Sequence, residues 1–151
     1  MTSPTAAFLR LFVEGFAQAL ADAGIGLTWR PSEPYETGEL GIGVMTFPTG
    51  LNKAVALTPY PLSDDPALSD SQIGLQVKTR SESAEPRDVW DLDDAIANVL
   101  LGLYPTTLPS GIEIVTLQRT SSTSLGQDES QRWIWSSNYP CGLYRPSVHR
   151  V

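Results

Sequence analysis

The stretch QIGLQVKTRSESAEPRDVWDLDDAIANVLLGL, residues 72–103, decides the fold. Its first nine residues alternate. Ile73, Leu75 and Val77 fall on one side of an extended chain, and Gln72, Gln76, Lys78 and Arg80 on the other, as in a strand with one buried and one wet face. From Pro86 the period becomes helical: Val89, Leu92, Ile96, Val99, Leu100 and Leu103 form one stripe, and Pro86 suits a first turn whose N–H groups lack partners. Asp88, Asp91, Asp93 and Asp94 crowd the N-terminal half, where the helix dipole favours carboxylates. Trp90, Ala97 and Leu101 add a second apolar stripe, leaving a polar strip of Arg87, Asp91, Asp94 and Asn98. A helix apolar over so much of its circumference is either sandwiched in its own domain or shared with another subunit.

Upstream, Ser3 suits an N-cap and Pro4 a first helical position. Phe8, Leu9, Phe12, Val13, Phe16, Ala19, Leu20 and Ala23 gather on one side of a helix, with Arg10, Glu14, Gln18 and Asp22 opposite and Gly24 as the breaker. Leu11 falls among the polar positions, as a lone exposed leucine or a contact with a neighbouring subunit. Strand-like pieces follow: residues 25–30 with Ile25, Leu27 and Trp29 on one face, a stretch led by Ile42, Val44 and Phe47, and a short one from Ala54 to Thr58. Residues 31–41 read as an extended loop. Residues 59–71, with three prolines and three aspartates, read as a surface connection. Downstream of the second helix, 112–119 reads as a central strand with bulky residues on both faces. Residues 120–130 read as a mobile, turn-rich segment, and 131–138 as a last strand alternating Trp133 and Trp135 against Arg132, Ile134 and Ser136. The expected fold is α+β: a single domain over 1–138, its mixed or antiparallel sheet of about five to six strands carrying both helices on one face, then an extended arm over 139–151.

The chain has 151 residues, the size of one domain with a real core. A single cysteine, Cys141, excludes an internal disulfide framework, and the lone histidine, His149, lies near the end of the chain, a poor place for a rigid Ser-His or Cys-His site. Ten basic residues against 17 acidic ones give a formal charge of −7, which opposes gripping nucleic acid phosphates by counterion release. No stretch approaches the roughly 20 apolar residues of a membrane span.

The constellations that could carry chemistry are weak. Asp91, Asp93 and Asp94, with Asp64 and Asp65, could be metal or acid–base carboxylates. Adjacent aspartates on a helix point about 100° apart, however, and no calcium-loop spacing is present, so a solvated helix start and an acidic turn are the simpler reading. GELGIG at 38–43 has a nucleotide loop's composition but not its spacing. Ser122 and Ser124 have no histidine to activate them, and Cys141 has no base. Trp133 and Trp135 could stack bases, but only Arg119 and Arg132 are near, so a core or interface pair is expected. No catalytic residue, cofactor site or metal site is expected.

Taken in order, IGLQVKTR at 73–80, a Glu-Pro, the helix VWDLDDAIANVLLGL, a strand and LGQDESQRWIWSSNY resemble the tail terminator (minor capsid, tail completion) proteins of long-tailed bacteriophages. The matching positions are Arg80; Asp88 and Asp91; Leu125, Gly126 and Asp128; Arg132; and Ser136, Asn138 and Tyr139. One position departs: the family's final arginine often follows a glycine, and here it follows Gln131. The resemblance implies a ring, commonly a hexamer, that caps the tail tube, stops its polymerisation and meets the head completion or connector protein. The virion head–tail junction would be its location, after assembly in the host cytoplasm. Leu11, Arg80, Trp90, Leu101, Leu125, Asp128 and Arg132 would contact a neighbouring subunit or the tube, and loops 120–130 and 31–53 would face the tube. Asp88, Asp91, Asp93 and Asp94 would form an acidic lumen past which DNA slides without specific binding. Two other readings stay open: another head–tail junction protein, and a small non-viral ligand-binding domain, which would need an apolar pocket with perturbed titratable groups.

Overall fold

The computed structural model describes residues 7–64 and 70–144, and its sheet is built outward from the alternating strand. In chain order the elements are α1 (Phe8–Asp22), β1 (Leu27–Thr28), β2 (Leu40–Val44), β3 (Ala54–Asp64), β4 (Asp70–Arg80), α2 (Arg87–Leu101), β5 (Thr106–Thr107), β6 (Glu113–Leu117), β7 (Ser121–Gln127) and β8 (Trp133–Tyr144). The strands lie in the order β1-β2-β3-β4-β8-β6-β5, with β7 paired to β8 beside that path. β1, β2 and β3 are mutually parallel, and every other pairing is antiparallel. The fold is α+β as expected, but its mixed sheet has eight strands among the described residues where about five to six were expected.

β4 supplies the frame. Ile73, Leu75 and Val77 are buried, as their alternation requires. The register sets Leu75 against Pro59 and Tyr139, Val77 against Leu57 and Ser137, and Ile73 against Cys141. One continuous face therefore holds Val55, Leu57, Ile73, Leu75, Val77, Tyr139, Cys141 and Leu143, all in the core. α1 lies on this face against β3, α2 lies on it against β8 and β4, and the two helices touch. Phe12, Phe16 and Leu20 of α1 and Ile96 and Leu100 of α2 are fully buried there. Each such side chain contributes about 1.5–3 kcal/mol when withdrawn from water. The opposite face carries Gln76, Lys78, Asn138 and Tyr60, the last with its ring over Gly74, where no side chain could stand.

Several expectations need correction. The expected cap at Ser3 and Pro4 lies outside the described residues, and α1 starts at Phe8 after an extended Ala7 with no side-chain cap. Val44 is exposed, and Phe47 lies beyond the strand. The stretch beginning at Pro59 is not a surface connection: β3 continues through Pro59 and Pro61 to Asp64, and β4 begins at Asp70. Residues two apart point their N–H groups to the same edge, and β2 leaves that edge after Leu57, so neither proline removes a bond from the ladder to β4.

The segment 120–130 is not a mobile turn but mostly β7, laid against β8 from Gln127–Trp133 to Ser121–Asn138. The expected arm also starts inside the sheet. β8 runs on to Tyr144, burying Tyr139, Cys141 and Leu143, while residues 145–151 lie outside the described residues. Pro140 fits within β8 because its carbonyl faces Gln118, at the junction between β6 and β7 where the ladder is interrupted. In β6 a bulge at Val115 explains its bulky residues on both faces: it breaks the alternation, so Ile114 and Leu117, three apart, are both buried while Val115 is exposed.

The turn from β7 to β8 accounts for the departure at position 131. Gln131 has φ 63°, in the left-handed region that favours glycine. The turn thus keeps the geometry a glycine would favour and holds a glutamine in it, at a cost of about 1 kcal/mol. Gln131→Gly should raise stability by about 0.5–1 kcal/mol in urea unfolding without changing the transition slope. A loss of stability would contradict this account of the turn.

Candidate assembly site

The sequence-nominated Arg80, Asp128 and Arg132 meet at one end of the sheet. Arg80 ends β4, and its guanidinium donates to the carbonyls of Leu51 at 2.6 Å and Asn52 at 2.8 Å. The same group lies 4.4 Å from the ring centre of Phe47 and 4.0 Å from Asp128 Oδ2. Asp128 accepts the N–H of Ser130 at 3.0 Å and of Arg132 at 2.9 Å, and the Nε–H of Arg132 at 2.9 Å. Arg132 also donates to Asn52 Oδ1 at 3.0 Å. Desolvation works to raise the Asp128 carboxyl, but the N–H and guanidinium of Arg132 and the N–H of Ser130 hold it below its ordinary range. Burial, then the charge of Arg132, pushes Arg80 below its ordinary value.

The side chains of Arg80, Asp128 and Arg132 are only 11%, 19% and 19% exposed. They form a clamp within the subunit that joins the segment before β3, the end of β4 and the β7–β8 turn, and they do not stand free for a neighbour. Leu51, Asn52 and Phe47 complete the clamp. Leu51 and Asn52 carried no periodic signal and Phe47 was expected in a strand, and only the strand register brings the three beside Arg80.

Next to the clamp, Ser81 and Trp133 exchange bonds: Ser81 N–H donates to Trp133 O at 2.9 Å, and Trp133 N–H to Ser81 Oγ at 2.8 Å. The indole N–H of Trp133 donates to Ala84 O at 2.9 Å, so this ring is fixed to the α2 approach. Asp88 accepts the Glu82 N–H at 2.8 Å and Lys53 Nζ at 2.7 Å, tying the start of α2 to the segment before β3.

Asp93 corrects the sequence reading most sharply. It is 4% exposed and faces the sheet, accepting Ser137 Oγ–H at 2.8 Å, with Arg119 at 3.4 Å and Ser122 bonded to Ser137 at 2.8 Å. A carboxylate held there cannot belong to an acidic surface. Desolvation pushes its pKa above the ordinary aspartate value, against the hydrogen bond from Ser137 and the charge of Arg119. Ser122 is thereby a structural hydroxyl, and Cys141 is buried with its thiol pushed up to about 12 by desolvation. Among the described residues no group of three or more His, Cys, Asp and Glu side chains could hold a metal, and no helix is long and apolar enough to cross a membrane.

The remaining nominated residues sit at the surface or close to it. Leu11 is half-buried, packed on the core edge, and its carbonyl accepts Ser110 Oγ–H at 2.6 Å. Trp90 is 51% exposed, edge-on to Trp135 with ring centres 6.0 Å apart. Leu101 and Leu125 are exposed, as are Asp91 and Asp94. On the opposite flank of the sheet, between α1, β2 and the segment 29–48, lies an open groove of about 1000 Å³ lined by Val13, Trp29, Tyr35, Val44, Met45 and Phe47. Nothing in the sequence pattern signalled this groove, because its walls come from four separate stretches.

A family model described as bacteriophage tail terminator protein matches residues 19–145, a span that includes the whole clamp and omits Leu11. Among solved structures, a chain of the virion of a native gene transfer agent particle is similar, with a TM-score of 0.57 and 12% identity, over 85% of this chain and 84% of that one. At that identity the likeness concerns the fold. No curated protein matches the chain.

Two outcomes follow from this geometry. Arg80→Lys keeps the charge but loses the fork that spans Leu51 and Asn52, and should cost about 2 kcal/mol in urea unfolding; a change below about 0.5 kcal/mol would contradict the clamp. Asp93 binds its proton more tightly folded than unfolded, so it contributes a loss of stability as pH rises from the ordinary aspartate value of 3.8 through its raised folded value. Asp93→Asn keeps an acceptor for Ser137 and removes that loss. The stability of the wild type relative to Asp93→Asn should therefore fall with rising pH across that window and then level off; a difference constant with pH would contradict the assignment.

Proposed function

From the premise that this chain belongs to the bacteriophage tail terminator family, we propose that it assembles as a ring on the end of the tail tube, commonly of six copies, stops addition of tube protein and joins the tail to the head. The family is one of bacteriophage tail terminator proteins and the structural neighbour belongs to the virion of a gene transfer agent particle, so a structural role in a virion is the level at which both agree. The ring, the cap and the head–tail junction are the further steps of this reading.

The observation that carries the reading is that, besides Leu62, Tyr104, Val115 and Tyr144, exposed apolar side chains stand in two patches on opposite flanks. Val44 and Met45 stand beside the groove on the β2 flank, while Trp90, Leu101 and Leu125 stand on the α2 and β7 flank. Different apolar surfaces on opposite flanks favour head-to-tail contact, and head-to-tail contact with a suitable rotation closes into a ring. A subunit that met only a copy related by a two-fold axis would carry one self-complementary patch instead.

The acidic lumen is correspondingly smaller than the sequence implied. Asp93 is buried and Asp88 is paired with Lys53, so Asp91 and Asp94 are the carboxylates of α2 that could face passing DNA. A ring of six copies, each of formal charge −7, would carry about −42 before counterions and would repel phosphates.

Tube protein polymerised with a stoichiometric excess of the chain should give short tubes bearing the chain at one end. Negative-stain images of headless tails should show it there. Tubes of unchanged length, or the chain found on tailless heads, would contradict a terminator and favour a head-side junction protein. Asp91→Asn with Asp94→Asn should slow DNA ejection several-fold while leaving capped tails intact; unchanged ejection would remove the acidic lumen.

A further inference from the structure

Both helices lie on one face of the sheet, and among the described residues no helix covers the other. The register lays out the side chains of that open face in rows. Lys78 shares a row with Ala56, Ser136 and Thr123, the next row holds Gln76 and Asn138, and the next joins Tyr60, Gly74 and Pro140. The chain has 17 acidic residues, yet among the described residues no carboxylate stands on this face between the row of Lys78 and the row of Tyr144 and Glu113. The acid-free area runs about 20 Å along the strands and about 14 Å across four of them.

Two features suit this face to a partner. It is flat, because Gly74 lets the Tyr60 ring lie down on the sheet: a Cβ there would stand 2.0 Å from that ring. It also carries a cation without a counter-charge. Lys78 is half-buried on the central strand, and every other basic side chain among the described residues has a carboxylate partner while Lys78 has none. In a chain of formal charge −7, an acid-free face with one unpaired ammonium is the complement of the acidic surface that the same chain shows elsewhere.

On the helix side, Trp90 and Leu101 stand exposed along one line of α2, about 16 Å apart. Asp94 lies one turn from Trp90 and about 40° round the helix; it is exposed and has no ion pair among the described residues. We infer that the acid-free sheet face of one copy receives α2 of a second copy, with Trp90 on the strip of Tyr60, Gly74 and Pro140 and Asp94 paired with Lys78. The dimensions agree: α2 has 15 residues and is about 22 Å long, enough to cross the area. Lys78 stands two rows from the strip, about 13 Å, and Asp94 is about 6 Å along the helix from Trp90, so the lysine stem spans the remainder. Trp90 is the largest of the exposed apolar side chains and is held edge-on by Trp135, a fixed aromatic anchor of the kind that carries interface energy. Helix side against sheet side joins unlike surfaces, so the contact repeats head to tail. Asp91, about 60° beyond Asp94 round α2, stays clear of it, and asparagine at Asp94 keeps an oxygen for Lys78. This inference rests on the ring reading above and names the surfaces that make it.

The chain has only two lysines, Lys53 and Lys78, so carbodiimide coupling of lysine to carboxylate reads the contact directly. Each link is an amide formed with loss of water, which the carbodiimide takes up as a urea. Rings assembled on tubes from equal amounts of unlabelled and isotope-labelled protein should give a Lys53–Asp88 link within single copies, where the pair already stands at 2.7 Å. They should also give a Lys78–Asp94 link that joins labelled to unlabelled chains as often as it joins like to like. Within one copy those two groups lie on opposite sides of the sheet and cannot couple. Lys78→Glu should keep the thermal unfolding midpoint of the wild type and lose ring formation at least tenfold, and Lys78→Glu with Asp94→Lys should regain it. Rings without the Lys78–Asp94 link, a Lys78 link to tube protein in its place, normal rings from Lys78→Glu, or no recovery in the double variant would each overturn this contact while leaving the ring reading standing. Wild-type protein that forms no ring with or without tubes would overturn both.

Discussion

The antiparallel ladder between β4 and β8 is the constraint on which the other elements depend. It runs from Asp70–Tyr144 to Arg80–Ile134 without a register shift, and it fixes which face of each strand meets the helices. One-residue slippage would turn Ile73, Leu75 and Val77 to water and bring Gln76 and Lys78 under α1 and α2, so the pairing is strongly specified by burial. β3 on one side and β6 with β7 on the other inherit their register from this pair. The clamp at Arg80 then locks the end of the ladder from which the β7–β8 turn departs.

The parts legible in sequence were those whose stability comes from one apolar face. The alternation of β4 and the helical stripes of α1 and α2 could be read directly, and the layering followed from them. β7 was not legible because its attachment is of another kind: backbone bonds to β8, with hydroxyl pairs such as Ser122 to Ser137 and a hydrogen bond donated by the Asn138 side-chain amide to Ser121 Oγ. Serine-rich composition looks the same in a turn and in such a strand. Pro59, Pro61 and Pro140 misled for a related reason. Each sits where a neighbouring strand is absent or interrupted, which depends on the pairing partner and not on the proline's own surroundings in sequence.

The candidate site divides in the same way. Arg80, Asp128 and Arg132 could be picked out as a set by resemblance, and the structure brings them together, but as a clamp inside the subunit. Asp93 was grouped with its neighbours as a solvated acid because its partners, Ser137 and Arg119, lie far away in sequence. Trp90 and Leu125 do reach the surface. The polar clamp and the apolar flanks differ in kind: one fixes the β7–β8 turn within the subunit, and the others leave apolar side chains exposed at the surface. Presenting a prearranged edge lowers the ordering cost of association, which suits the assembly role proposed above.

Mass decides this account most directly. The chain weighs 16.4 kDa, and native mass spectrometry of complexes released from the tips of tail tubes would count its copies. A closed ring, seen as one integral multiple of that mass and stable without tube protein attached, is the expected result. Single copies on the tube tip, or a ladder of open oligomers of every size, would contradict it.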